Sequence, residues 1–274
     1  MNALERWREQ LEAWAIPPEL VAAAPESPYG FPAGAFRRRG ERLRSTEIPS
    51  PTTARAAEAL REGGTVLDVG CGGGATSLPL AGRAGLVIGV DAQEDMLDGF
   101  IANARAAGVR ARAVHGRWPD AHRDVGSADV AVAGHVLYNV PELAPFVRAL
   151  GSAAPRVVFE LTERHPLHWM NDLWLRFHGV ERPEGPTADD ALAAIAEPGL
   201  DAKLERWTAA PSTVSFERRE DAVALVRRRL CLDASRDDDV AEALGERLIR
   251  GDGGWSVGPR GDRSLATIWF DATR

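Results

Sequence analysis

The chain has 274 residues, 45% of them apolar and 27% charged, with a net charge of -7 and an isoelectric point near 5.5. That length suits one large α/β domain or a core with a modest cap, and the acidity argues against affinity built on neutralising many phosphates. Cys71 and Cys231 stand in unrelated contexts, the start MNALERWREQLEAW lacks a signal-peptide core, and no apolar run approaches membrane-spanning length. A disulfide framework, a secretory leader and a membrane span are therefore not expected, and a cytoplasmic protein is.

Leu4, Trp7, Leu11 and Trp14 recur at helical spacing, and Pro17-Pro18 stops or restarts that helix. SPYGFPAG reads as a loop and FRRRGERLR as a short basic stretch. Its Arg37, Arg38 and Arg39 read either as a solvated cluster or as an anchor for an acidic group of acceptor or cofactor. Residues 1–50 are expected to form a helical cap ahead of a domain filling 51–274. A helix capped by Thr52 or Thr53 runs through Leu60 and ends near Gly63-Gly64.

From Thr65 strands and helices alternate. TVLDVG (65–70) is a strand, GATSLPLAGR (74–83) a helix despite its proline, and LVIGVD (86–91) a second strand. QEDMLDGFIANARAAG (93–108) is a helix with Met96, Phe100 and Ile101 on one face. VRARAV (109–114) and ADVAVAGH (128–135) are strands, PELAPFVRALGSA (141–153) a helix, and RVVFELT (156–162) a strand. A helical insertion at about 163–200 follows, with HPLHWMNDLWLRFHG as an aromatic helix, RPEGP as a turn and TADDALAAIAEPG as another helix. AKLERWT resumes the sheet, EDAVALVRRRL and DDDVAEALGERLIRG are helices, and RSLATIWFD is the closing strand. The expected fold is doubly wound α/β: a mostly parallel seven-stranded sheet with an antiparallel C-terminal strand, plus the helical cap.

VLDVGCGGGAT, from Val66 to Thr76, carries the most chemistry. Gly70, Gly72 and Gly74 permit a tight turn and a close approach of backbone to ligand. Such a loop lies at the carboxyl edge of the sheet, where open α/β folds bind ligands, and a helix after it would add free N–H groups. Gly70, Gly72 and Ala75 also satisfy a dinucleotide pattern. Asp91 ends the second strand, placed to accept hydrogen bonds from ribose hydroxyls. Loop and acid together imply a nucleoside cofactor without choosing one. Asp68 makes the choice: near the mouth of the loop its carboxylate repels a pyrophosphate and welcomes a sulfonium amino acid with a free ammonium.

Asp68-x-Gly70-x-Gly72-x-Gly74, followed by Asp91, resembles the first motif and the ribose-binding acid of class I S-adenosylmethionine-dependent methyltransferases. The likeness covers about residues 60–162. It implies S-adenosyl-L-methionine as cofactor, with Asp68, Gly70, Cys71, Gly72 and Gly74 around the methionine part and Ala92 and Met96 flanking adenine or ribose. After the third strand the family often has Gly-Asp; here Gly116-Arg117-Trp118 stands instead. Arg117 replaces the acid, and Trp118 either stacks on the base or packs at the edge. The likeness also implies that Gly134 and His135, ending the fourth strand, face the methyl-bearing sulfur.

Around that point polar residues concentrate. His135 either takes a proton from the acceptor or packs beside the cofactor. Tyr138 is a second catalytic candidate, and Tyr138 and Asn139 either orient the acceptor or cap the helix from Pro141. Glu163, His165 and Trp169 are candidate acceptor contacts. His165-x-x-His168 with Glu163 does not have the H-E-x-x-H spacing, and no metal is called. Trp169, Leu173, Trp174 and Phe177 are expected to join the Leu4–Trp14 stripe in a lid formed by residues 1–50 and 163–200 over the acceptor pocket.

A small-molecule acceptor is expected, with neither nucleic acid nor membrane as partner. RNA or protein methylation and a non-catalytic cofactor-binding module stand as alternatives. The base-modifying motif Asn-Pro-Pro-Tyr is missing after the fourth strand.

Overall fold

Strands that are largely apolar need cover on both faces, and four of these lie side by side with a fifth as their edge. The computed structural model describes residues 1–29, 50–210, 214–251, 254–259 and 261–272; the stretch with Arg37, Arg38 and Arg39 lies outside them. The parallel strands are β1 (Gly64–Val69), β2 (Ala84–Asp91), β3 (Ala111–His115), β4 (Val130–Gly134) and β5 (Arg156–Thr162). After β6 (Lys203–Ala209) the chain leaves through β7 (Val214–Phe216), β8 (Leu248–Gly251) and β9 (Gly254–Val257), then returns as β10 (Arg263–Asp271). The seven-stranded order is β3-β2-β1-β4-β5-β10-β6, with β10 antiparallel to both neighbours. This is the expected sheet, closed by the expected antiparallel strand.

The helices are α1 (Ala3–Glu12), α2 (Pro18–Ala23), α3 (Pro51–Ala59), α4 (Glu94–Ala106), α5 (His122–Val125), α6 (Leu143–Ala153), α7 (Asn171–His178), α8 (Ala188–Ala196), α9 (Arg219–Arg229) and α10 (Asp237–Leu244). Helices α3 and α4 cover one face through Ala56, Leu60, Leu97 and Phe100, packed on Val66, Val132 and Val158. Helices α1, α6 and α8 cover the other, where Trp7, Leu11, Phe146, Leu150 and Ile195 meet Leu67, Val69 and Phe159. A reciprocal cap between Asn2 and Glu5 starts α1. Trp7, fully buried, then carries the helix into the core.

Three expectations are corrected. The segment after the glycine loop is a run of turns with a single 3-10 turn at Leu78–Leu80, because Pro79 has no N–H to continue a helix. The aromatic insertion is helical only from Asn171, after a 3-10 turn at His168–Met170. DDDVAEALGERLIRG breaks at Gly245, whose φ is +51°, and its tail becomes β8 of a three-stranded sheet in the order β7-β9-β8.

That sheet packs with α7, α9 and α10 into a third apolar core of Met170, Leu173, Trp174, Leu225 and Val240, flanked by Ile16 and Leu20. The insertion thus packs with strands as well as helices, drawn from 214–251 and 254–257. Helix α1 lies along α8 and α6. Among the described residues no helix is long and apolar enough to cross a membrane.

Candidate active site at the carboxyl edge

The turn out of β1 is possible because Gly70 and Gly72 adopt φ of +67° and +49°. A Cβ on Gly70 would run into Val136, whereas one on Gly72 would meet nothing within 4 Å. The loop is thus pressed onto the chain after β4 on one side and open on the other. Gly134 is needed for the same closeness, since a Cβ there would strike the Thr76 hydroxyl.

Asp91 braces this loop. Its Oδ2 accepts from the Gly72 N–H at 2.9 Å and its Oδ1 from the Gln93 N–H at 3.0 Å. Each carboxylate oxygen retains a further lone pair for a hydroxyl. Asp68 is different. It is 1% exposed, and its Oδ2 accepts from Ser77 Oγ at 2.5 Å. Oδ1 is buried without a hydrogen-bond partner among the described residues.

Burial pushes the Asp68 carboxyl up to about 7, against the opposing bond from Ser77. A half-satisfied buried carboxylate costs about 1–3 kcal/mol, and a ligand ammonium at the loop would offset that cost. This orphaned oxygen and the open face of Gly72 fit the amino-acid part of S-adenosylmethionine.

The other cofactor candidates lie around the same rim. Cys71 is buried under the loop, where burial and Asp68 push its thiol up. Gly116 donates its N–H to the Asp91 carbonyl at 2.9 Å, and the Ala92 carbonyl lies 3.1 Å from His115 Nε2. Met96 is buried and Arg117 exposed. Trp118 gives its indole N–H to the Phe146 carbonyl at 3.1 Å, which anchors the ring on α6.

At the end of β4, His135 holds φ +58°, strained for a residue with a Cβ. Its N–H donates to the Glu160 carbonyl at 2.7 Å, and its Nε2 stands 3.4 Å from Glu160 Oε1. Both side chains are mostly buried and face each other. Glu160 is a residue that sequence reasoning passed over; its signal was an acid inside the otherwise apolar run RVVFELT.

The facing wall is aromatic. Trp14 stacks on His165 with ring centroids 3.8 Å apart, and Tyr138 meets His165 edge-on at 5.2 Å. The Trp7 indole N–H donates to the Val140 carbonyl at 2.9 Å, tying α1 to the chain beyond His135. His165 Nδ1 accepts from the Leu167 N–H at 3.2 Å. Burial lowers His165 to about 3, aided by the charges of Arg182, His168 and Arg229, so its ring is neutral and presents Nε2–H.

Tyr138 donates its hydroxyl to the Thr162 carbonyl at 2.8 Å, and burial pushes the phenol up. The phenol keeps its proton at neutral pH. Asn139 is exposed. Glu163 turns to Arg206, with contacts of 3.1 and 3.2 Å, and Trp169 packs on the third core. His168 Nε2 pairs with Glu184 at 2.9 Å, so the candidate metal trio is dispersed. Among the described residues no group of three or more His, Cys, Asp or Glu is placed to hold a metal.

A cavity of about 680 Å³ lined by Arg61, Asp129, Arg148 and Pro155 opens at the amino edge of the sheet. It lies opposite the end at which open α/β sheets bind ligands.

Residues 66–153 match a family model described as a methyltransferase domain. An uncharacterized protein of Haemophilus influenzae is 27% identical over 210 residues, which span 76% of each chain. A solved structure from Bacillus halodurans, described as a candidate methyltransferase, superposes with a TM-score of 0.53 at 16% identity, covering 82% of this chain and 100% of that one. The YcgJ protein of Bacillus subtilis gives 0.51 at 15% identity, over 81% and 98%. These two likenesses are of fold.

Proposed function

We propose an acceptor class for this chain, which belongs to the class I S-adenosylmethionine-dependent methyltransferases: a small organic molecule, methylated at oxygen, nitrogen or carbon. The observation that carries the reading is the pairing of His135 with Glu160 beside a wall of Trp14, Tyr138 and His165. That wall suits a compact, partly apolar acceptor.

S-adenosylmethionine supplies an activated methyl group on a sulfonium, open to in-line displacement. The chain's part is alignment, water exclusion and proton handling. Asp68 and the backbone around Gly70 and Gly72 hold the amino-acid end, and Asp91 holds ribose hydroxyls. His135, oriented by Glu160, accepts a proton from an acceptor hydroxyl or amine. Tyr138 and His165 set the plane in which the acceptor lies, and positioning alone supplies effective molarities of about 10⁵ M or more. The segment after α1 and the insertion at 163–200, which meet where Trp14 stacks on His165, keep water from that space.

The test uses methyl-labelled S-adenosylmethionine with a cell extract divided into small molecules, RNA and protein. Label is expected in the small-molecule fraction; label in RNA or protein alone overturns the acceptor class. Calorimetry separates the cofactor question. S-adenosylhomocysteine should bind and NAD should not, and tighter NAD binding would end the reading.

A further inference from the structure

We propose that Ser77 is a positioning residue for the cofactor: its hydroxyl clamps one oxygen of Asp68 and so leaves the other for the ammonium of the ligand's amino-acid end. This rests on the reading of Asp68 as that ammonium's partner and deepens it.

Asp68 stands in β1 between Gly89 of β2 and Val132 of β4, neither of which offers it a polar side chain. A carboxyl that is 1% exposed in such a place must find its partners elsewhere. Ser77, fully buried, supplies one: its hydroxyl donates to Asp68 Oδ2 at 2.5 Å. Oδ1 is left buried without a hydrogen-bond partner among the described residues. With Oδ2 held, the carboxyl cannot turn over without breaking that bond, so the oxygen offered to a ligand stays the same. A group fixed before the ligand arrives loses less freedom on binding.

Ser77 has an ordinary structural use that it does not take up. It stands at the N-cap of the 3-10 turn Leu78–Leu80, where a serine oxygen commonly accepts from a free N–H of the turn. Here the side chain makes no such bond. Nor does the glycine loop depend on it, because the loop has braces of its own. The Gly72 N–H is held by Asp91, the Gly73 carbonyl by Asn103 Nδ2 at 2.9 Å, and the Gly74 N–H by the Cys71 carbonyl at 2.7 Å. The hydroxyl of Thr76, one residue earlier, faces Gly134 instead.

Charge points the same way. Burial raises Asp68 most; Ser77 opposes that rise, and the charge of Asp91 adds to it. The neighbouring Cys71 thiol is pushed up by burial and stays uncharged at neutral pH. A donating hydroxyl favours the ionised carboxylate, which is the form that an ammonium binds best. Without Ser77 the acid would keep its proton to higher pH, and the ammonium would meet a neutral carboxyl.

The experiment titrates the full chain by calorimetry with S-adenosylhomocysteine and with methylthioadenosine, a nucleoside thioether that lacks the amino-acid end. At neutral pH Ser77→Ala should weaken S-adenosylhomocysteine about tenfold and methylthioadenosine by less than about twofold. The rise of S-adenosylhomocysteine affinity with pH should begin about one unit higher than in the wild type. In Asp68→Asn, where no charge is left to position, adding Ser77→Ala should cost less than about twofold more. Ser77→Cys, close in size and a weak donor, should show a smaller loss with the same selectivity, and it carries the test if the alanine variant does not fold. Equal weakening of the two ligands, an unchanged affinity and pH profile in a folded variant, or a full further loss in Asp68→Asn overturns the inference. Wild-type affinity for S-adenosylhomocysteine in Asp68→Asn would undo the reading of Asp68, and the inference with it.

Discussion

The proposed cofactor side of the site comes from one short passage of chain, β1 to the end of β2, where Asp68, the glycines and Asp91 lie within a strand, a turn and a strand. The proposed acceptor side draws Trp14, Tyr138 and His165 from separate stretches, joined by ring contacts. One side is local and made mostly of backbone and short carboxylates. The other is assembled by tertiary packing, and no single segment can hold it. Damage should therefore act differently on the two: cofactor affinity responds to changes near the loop, while transfer responds to changes far away.

The largest expected effect is on the remote side. Trp7→Ala removes a fully buried indole and its bond to Val140, and should cost about 3–5 kcal/mol in thermal or denaturant unfolding. Trp7 belongs to the main core, so removal of α1 altogether should also destabilise the sheet rather than merely open a lid. A Trp7→Ala protein with native stability would show that α1 is dispensable to the core. Next in size, His135→Ala should lower methyl transfer by about 10²–10⁴-fold if the ring takes the acceptor proton. Binding of S-adenosylhomocysteine should change little. Equal loss of both would place His135 on the cofactor instead.

Asp91→Ala should weaken S-adenosylhomocysteine by about 1.5–3 kcal/mol, the range for a charge-assisted hydrogen bond. It also releases the Gly72 N–H, so the loop loses its brace. An unchanged dissociation constant in the folded variant would mean that the ribose is held elsewhere.

The smallest effect on affinity is a pH dependence. Asp68 keeps its proton to about pH 7 when folded, but an unfolded aspartate releases it near pH 4. Between those values the folded state binds more protons, so stability falls as pH rises from about 4 to 7 and then levels off. The ligand ammonium prefers the ionised carboxylate. Affinity for S-adenosylhomocysteine should therefore rise about tenfold from pH 6 to pH 8. Asp68→Asn should flatten both trends; a pH-dependent affinity surviving in that variant would assign the effect to another group.

The same contrast explains what could be read in advance. Most strands were legible because they are short, largely apolar runs between turns, and Asp68 and Asp91 because a carboxylate at a buried strand end has few structural uses. The short strand β8 was not legible: LIRG follows a helical pattern without interruption, and only Gly245 at positive φ breaks it. The loop's following helix was expected from local spacing, and Pro79 defeated it. Glu160 was illegible for a different reason. Its meaning depends on His135, which only the folded sheet brings to it.

The position of β10 has a consequence for synthesis. This strand pairs with β5 on one side and β6 on the other, with Ala209 opposite Arg263 at the edge. Until residues 263–271 have left the ribosome, β5 and β6 cannot be joined, and the row of backbone donors and acceptors on β5 has no native neighbour. Folding during translation can complete β1–β4 and the glycine loop well before then. The exposed flank of β5 would meanwhile be the place where a waiting chain pairs wrongly with another. Growing chains should therefore gain the nucleoside-binding half early and the finished sheet only when the final strand slides between its two partners.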